Sequence, residues 1–249
     1  NVSLRKEGQK ELPKYKVEFF IDFETVNDLI EPIDNGSPTT VLEHYIFMTG
    51  LGWSIVDNEG NIRWCFKNFT TDNIDFNSPH EKNQIIKLHQ YIHQVLKKYD
   101  AFDAFKIYHW GNAENISYNK LQNKYKYNLN KLSNYLQCNN LTELIESNLI
   151  DLNRVFINEP ICIKGAFKYG LKEIAKTLYK HGLIKKIWEV SNIDNGLNAM
   201  VEAIECSNQS KKINIPMSEL PIMKEIIKYN EMDCRVLFEV LQFIRKNLM

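Results

Sequence analysis

Two acidic residues, Asp22 and Glu24, end an apolar stretch that begins at Phe19. The composition of this stretch predicts a β-strand, and because side chains alternate along a strand, both carboxylates should point to one face. The other face would carry Phe19, Ile21 and Phe23, so the strand should be central and buried. Two buried acids repel each other and lose hydration, and the oxygen-binding cations Mg²⁺ or Mn²⁺ would compensate them. Alternatively, the strand emerges at the surface and its acids are solvated.

A third acid, Asp233, falls within the apolar stripe of the last predicted helix, at helical spacing from Ile226 and Leu237. An Asp that faces a core is rare unless it is paired or binds a metal. Tyr229 lies one turn earlier on the same face, where a phenol beside a metal-bound carboxylate can orient an attacking water. The alternative is an Asp at the rim of the helix, hydrogen-bonded to a neighbouring loop.

Glu114 follows a predicted strand at residues 105–110 and lies in the first turn of the next predicted helix. The positive end of a helix dipole stabilises a carboxylate there, which would explain this residue without any chemistry. In α/β folds, however, ligands gather where strands end and helices begin. Glu114 is therefore a further candidate for the same site.

The composition excludes several classes of protein. The 249 residues are 44% hydrophobic with a formal net charge of zero, so a sizeable core is expected and the overall charge indicates no particular partner. Five cysteines without a CxxC pair argue against a disulfide scaffold and a zinc ribbon, and favour reduced thiols in an intracellular protein, cytoplasmic or nuclear. No apolar run approaches the ~20 residues of a membrane span, so no membrane partner is expected.

Hydrophobic periodicity predicts an α/β fold in a single domain over residues 16–249, after a polar lead-in at residues 1–15. Strands are predicted at about 16–25, 44–53, 62–69 and 105–110, and the first three should form an antiparallel meander. Residues 151–156 would form a fifth strand or a short helix, and residues 27–42 a loop. Helices are predicted at about 79–99, after 112, at 171–179, 197–206 and 216–247.

His89 and His93 are four residues apart on one predicted helix face. Such a pair can form half of a zinc site. Because no further cluster of ligands accompanies it, we favour a solvated helix face.

Three motifs occur in a fixed order: Asp22-Phe23-Glu24, Tyr108-His109-Trp110-Gly111-Asn112-Ala113-Glu114, and Tyr229-Asn230-Glu231-Met232-Asp233. They resemble the D-x-E, H-N-x-x-F-D and Y-x-x-x-D motifs of the DEDD 3′–5′ exonucleases of the tyrosine subclass, the DnaQ-like branch of the ribonuclease H fold. Residues 149–152 and 170–174 resemble the family's internal strand and a later helix start. The likeness is greatest to predicted nucleases associated with helicase or RecB-like modules. The chain departs from the family's pattern in Glu114, where Asp is usual, in Trp110, where Asn is usual, and in a helical or loop insertion at about 181–220.

This resemblance implies a central mixed five-stranded sheet flanked by helices and a 3′–5′ exonuclease acting on single-stranded DNA or RNA. It also implies two divalent cations, Mg²⁺ or Mn²⁺, about 4 Å apart. Asp22 would bridge them, Glu24 and Asp233 would complete one site, and Glu114 would support the other. Tyr229 would orient the attacking water. Substrate contacts are expected from Thr25, His109 and Asn112, and a fused or associated helicase or other replication or repair module is an expected partner.

Lysines are concentrated near residues 164–186, where Lys172, Lys176 and Lys180 share one helix face. Such a stripe is either solvated or, beside a metal site, able to hold a phosphate backbone, for which Lys172 and Lys176 are the candidates. Two other functions stay open for the chain as a whole. One is a structure-selective endonuclease with the same metal site, and the other is a catalytically silent nucleic-acid-binding or scaffold module.

Overall fold

A computed structural model describes residues 15–27, 44–57, 59, 61–138, 140–189, 193 and 195–247. The predicted lead-in at 1–15, apart from residue 15, and the predicted loop at 27–42, apart from residue 27, lie outside the described residues.

A five-stranded mixed sheet forms the centre of the fold, in the order β3-β2-β1-β4-β5. Its strands are β1 (Val17–Asn27), β2 (His44–Val56), β3 (Ile62–Thr70), β4 (Phe105–His109) and β5 (Leu149–Asp151). The pairs β1–β2 and β2–β3 are antiparallel, whereas β1–β4 and β4–β5 are parallel. This confirms the predicted sheet and is consistent with a ribonuclease H-like fold.

Helices cover both faces of this sheet. They are α1 (His80–Lys98), α2 (Asn112–Tyr135), α3 (Leu141–Ser147), α4 (Leu152–Asn158), α5 (Leu171–Lys180), α6 (Gly196–Ile213) and α7 (Pro221–Asn247), with a 3-10 turn at Met217–Glu219 before α7. None of the helices in the described ranges is both long and apolar enough to cross a membrane.

The structure resolves two uncertain boundaries. Residues 152–156 are helical rather than a strand, because Asp151 ends β5 and caps α4, its carboxylate accepting from the N–H groups of Asn153 and Arg154. Helix α6 runs to Ile213, beyond the predicted end at about 206.

The predicted solvated face at His89 and His93 is wrong. Both side chains are buried, and His89 forms hydrogen bonds at both ring nitrogens, to the Ile85 carbonyl at 2.9 Å and the Tyr118 hydroxyl at 3.0 Å. Burial lowers the pKa of His89 to about 4. It is a neutral core histidine with satisfied partners, and neither residue belongs to a metal-binding group within the described chain.

Alternation along β1 divides the core into two sides. Phe19 and Ile21 pack in a cluster with α1, α2 and α3, whereas Phe20 packs in a second cluster with α4, α5 and α7. Phe20 contacts Tyr108 of β4 and Phe238 of α7, with ring centroids 5.4 and 5.6 Å away. Asp22 and Glu24 share the parity of Phe20 and therefore face α7.

A buried ion pair fixes where α7 crosses β1. Arg245, near the end of α7, donates to both carboxylate oxygens of Glu18, and the Nη1–Oε2 distance is 2.8 Å. Both side chains are less than a tenth exposed. Helix α7 runs antiparallel to β1. Because Arg245 is paired with Glu18, the residues of α7 near 230 lie beside Asp22 and Glu24.

Candidate metal centre

Three carboxylates meet between the sheet and its longest helix. Asp22 and Glu24 from β1 and Asp233 from α7 each offer an oxygen, and these atoms lie within 4.8 Å of one another. We refer to Asp22, Glu24 and Asp233 as the acid triad. It is the single such group of three or more potential metal ligands in the parts of the chain that the structure describes. Residues more than two hundred positions apart thus form one anionic site.

Close approach of α7 to the sheet depends on a glycine in β2. Gly50 is paired with Asp22, and a Cβ built on Gly50 would lie 1.7 Å from Oδ1 of Asn230. Gly52 is paired with Phe20, and a Cβ built on Gly52 would lie 2.2 Å from Cη2 of Trp64. Two glycines on one face of a strand are a sign that another group approaches closely there, although they do not identify that group.

Asn230 joins two members of the acid triad. Its side-chain N–H₂ donates to Oδ2 of Asp22 at 2.7 Å and to Oε1 of Glu24 at 3.4 Å, and the residue is fully buried. Its Oδ1 is buried without a hydrogen-bond partner among the described residues. Asn230 lies inside the third motif, but sequence reasoning assigned it no role. Its contacts show a neutral donor that orients two like charges.

Burial raises the pKa values of all three carboxylates of the acid triad. Loss of hydration raises the pKa of Asp22 to about 7, against lowering by the Asn230 hydrogen bond and by Lys172. The pKa values of Glu24 and Asp233 lie well above their ordinary range, first because of burial and then because of repulsion within the triad. Such raised pKa values are expected of carboxylates that are arranged to bind a cation.

Glu114 lies next to the acid triad but is not one of its members. Burial, followed by the charges of Asp22 and Asp151, raises the pKa of Glu114 to about 8. Its Oε2 is buried without a hydrogen-bond partner in the described structure and lies 4.0 Å from Nδ1 of His109. A buried carboxylate oxygen without a donor is costly unless another group supplies the positive charge.

The turn between β4 and α2 positions Glu114. Gly111 has a φ of 95°, which favours glycine, and its N–H donates to Asp151 Oδ1 at 2.8 Å. His109 is buried and its Nδ1 donates to the Gly111 carbonyl at 2.9 Å. His109 therefore holds this turn, and Asp151, to which sequence reasoning assigned no role at the site, ties the turn to β5 and α4.

Lys172, the first cation of α5, lies near the acid triad. Its charge lowers the pKa of all three carboxylates. Its Nζ is 4.7 Å from the ring centre of Tyr229 and 5.6 Å from that of Trp188. The structure thus brings together two residues that the sequence predicted, Lys172 and Tyr229, with a tryptophan that it did not.

Burial raises the pKa of Asp233, and the indole of Trp188 acts in the opposite direction. The Nε1 of Trp188 has no hydrogen-bond partner among the described residues. Trp188 follows α5 in a segment without helix or strand, so no periodicity in the sequence placed it at the site. It is the aromatic residue that the predicted insertion at 181–220 contributes here.

The remaining predicted substrate residues lie at the edges of this region. Thr25 follows Glu24 at an irregularity in the β1–β2 pairing and is half-buried. Asn112 is exposed at the first position of α2. Lys176 is exposed on α5, one turn beyond Lys172.

Comparison with models of known protein families gives no match, and comparison with curated proteins gives none either.

Proposed function

We propose that this protein is a metal-dependent phosphodiesterase that hydrolyses nucleic acid, acting as a 3′–5′ exonuclease on single-stranded DNA or RNA. The observation that supports this is the acid triad, whose oxygen atoms lie within 4.8 Å of one another. A surface made only to bind nucleic acid gains nothing from buried negative charge beside phosphates. An enzyme that recruits divalent cations requires it.

The donor set fits Mg²⁺ or Mn²⁺. All three ligands are carboxylates, the oxygen donors that these hard cations prefer. The raised pKa values indicate that the triad lacks sufficient positive charge from the protein itself. Asp22, Glu24 and Asp233 would hold one cation, and Glu114, whose pKa is raised by burial and then by the charge of Asp22, would support a second.

Divalent cations held by these carboxylates would supply a low-pKa water as nucleophile and would stabilise the oxygen that leaves the phosphorus. The protein positions the reactants. Tyr229, one turn before Asp233, would orient the attacking water through its hydroxyl. Lys172 would bind a non-bridging phosphate oxygen, and Asn230 would keep Asp22 and Glu24 in place.

The direction of cleavage and the preference for strand ends rest on the motif resemblance described above. So do the expected partners, a nucleic acid strand and a fused or associated helicase or other replication or repair module. The proposed location inside the cell rests instead on the pattern of the five cysteines.

The test is hydrolysis of end-labelled single strands, DNA and RNA, with Mg²⁺ or Mn²⁺. The wild type should release mononucleotides from the 3′ end, and Asp22→Asn and Asp233→Asn should each lose about 10³-fold or more in rate, as expected when a transition-state interaction is removed. Asp103→Asn, at an exposed acid away from the site, is the matched control and should retain full activity. Cleavage that survives both substitutions would contradict the proposal, and cleavage of a circular strand would indicate an endonuclease.

A further inference from the structure

A cavity of about 840 Å³ is lined by α7 between Glu225 and Arg235. Three aromatic side chains line it: Trp64 of β3, Trp188 and Tyr229. Met232 and Arg235 of α7 also line it, and Arg235 stacks over Trp64 with a distance of 4.9 Å to the ring centre. The volume falls within the range of cavities that hold small organic ligands.

Two residues connect this cavity to the acid triad. Tyr229 lines the cavity one helical turn before Asp233, and Trp188 lines it beside Lys172. Lys172 lies over the rings of both. A ligand in the cavity would thus have aromatic faces around it and, at the end nearest the triad, a cation suited to a phosphate.

The charges around the cavity favour a neutral ligand. Three basic side chains line it, Lys186, Lys228 and Arg235, and so do three acidic ones, Glu189, Glu225 and Glu231. A phosphate chain would meet as many like as opposite charges. A nucleobase is uncharged, has a π-face for stacking, and carries hydrogen-bond donors and acceptors for both kinds of side chain.

We propose that this cavity is a nucleobase subsite, which stacks the base of one nucleotide on Trp188 while the attached phosphate passes Lys172 to the acid triad. This inference rests on the proposed function, since it assigns a position to part of the same substrate. It also gives the segment after α5 a role in selecting single strands, because a base inside the cavity cannot remain paired.

The test measures binding of a base without phosphate, metal or cleavage. The protein in EDTA would be titrated calorimetrically with adenosine and with ribose. Because stacking a base on an aromatic ring contributes about 1–3 kcal/mol, adenosine should bind about tenfold or more tightly than ribose. Trp188→Leu should lower the affinity for adenosine about tenfold without changing that for ribose, whereas Trp188→Phe should stay within about threefold of the wild type. Tyr127→Leu, at an exposed aromatic of α2 outside the cavity lining, should change neither.

A second variant guards against a loss of folding in Trp188→Leu. Met232→Trp should reduce the space in the cavity and weaken adenosine binding about tenfold or more, while the far-ultraviolet circular dichroism stays that of the wild type. Adenosine that binds no better than ribose, or equally well to the wild type and to folded Met232→Trp, would overturn the subsite.

The hydrolysis assay separates this inference from the proposed function. Trp188-dependent binding of adenosine by a protein that cleaves no nucleic acid would support the cavity and contradict the hydrolytic function. Metal-dependent cleavage by a protein whose affinity for adenosine does not depend on Trp188 would overturn the subsite alone.

Discussion

Asn230 is hydrogen-bonded to two like-charged carboxylates that lie side by side. Its amide donates to both Asp22 and Glu24 from a fully buried position. Groups that orient metal ligands commonly account for about 10–100-fold of metal affinity. The side chain is therefore as much a part of the site as the acids that it contacts.

We expect Asn230→Ala to lower the affinity for Mn²⁺ by about tenfold or more, because Asp22 and Glu24 lose their shared donor. Isothermal calorimetry at fixed pH measures this. Asn134→Ala, at an exposed position of α2, is the control and should bind Mn²⁺ as the wild type does. Unchanged affinity in folded Asn230→Ala would show that Asn230 only fills space.

Lys172 should have opposite effects on metal and on substrate. Its cation partly offsets the acid triad, so Lys172→Met should tighten Mn²⁺ binding while weakening the binding of a single strand. Removing one phosphate contact should also reduce the slope of log affinity against log salt by about 0.7 for a single strand. The measurement is strand binding at several salt concentrations.

Lys176→Met provides the comparison on the same helix. Lys176 is exposed one turn beyond Lys172, and its replacement should leave Mn²⁺ affinity unchanged. If the two variants behave alike toward Mn²⁺, then Lys172 has no particular relation to the acid triad.

At the scale of elements, the contact between β2 and α7 determines whether the site can form. We expect Gly50→Ala to destabilise the fold by about 3 kcal/mol, because its Cβ would lie 1.7 Å from Asn230 Oδ1 and α7 would have to move. For a chain of this length that corresponds to a fall in Tm of about 6–12 °C, measured by calorimetry.

Gly196→Ala is a matched control, because a Cβ added to Gly196 at the start of α6 would have no atom within 4 Å. It should be neutral or slightly stabilising. The double variant Gly50→Ala with Asn230→Ala should recover part of the lost stability, since the clashing oxygen is gone. A destabilisation that the second substitution does not reduce would place the strain elsewhere.

The sequence predicted β1 and its two acids because alternation and apolar content act locally. It also placed Asp233 on the core-facing stripe of α7. It could not predict that Asn230 meets Gly50, because that contact depends on how α7 crosses the sheet, which the Glu18–Arg245 ion pair helps to fix. Trp188 escaped prediction because its segment has no periodic pattern.

The histidine pair shows how a local pattern can be misinterpreted. His89 lies on the same helix stripe as Ile85 and Leu96, both fully buried, and this position indicated the core. The position of His89 on this stripe, rather than the polarity of its ring, determines its burial. The hydroxyl of Tyr118, which satisfies His89 from another helix, could not be foreseen from spacing.

At the scale of the whole molecule, the buried acids link stability to pH and to metal. The pKa of Asp22 is raised from 3.8 to about 7 and that of Glu114 from 4.5 to about 8. In this range the metal-free folded protein therefore holds more protons than the unfolded chain. Its free energy of unfolding should fall as pH rises through the folded-state pKa values.

The clearest window is from about pH 6.5 to about pH 8. Buried histidines with lowered pKa values, such as His89, contribute an opposite slope only below about 6.5. Urea unfolding in EDTA should show lower stability at the upper end of this window than at the lower end, and Mn²⁺ should restore it at the upper end. Stability that rises over this window in EDTA, or that Mn²⁺ leaves unchanged, would contradict the linkage. Asp22→Asn should reduce the slope of the free energy of unfolding against pH.

A crystal of the wild-type protein soaked in Mn²⁺ and measured near the manganese absorption edge would locate the cation itself. We predict an anomalous difference peak between the carboxylates of Asp22, Glu24 and Asp233, and its loss in Asp233→Asn crystals soaked in the same way. A map with no peak there, while Mn²⁺ is bound elsewhere on the molecule, would contradict the assignment of these acids as a metal centre.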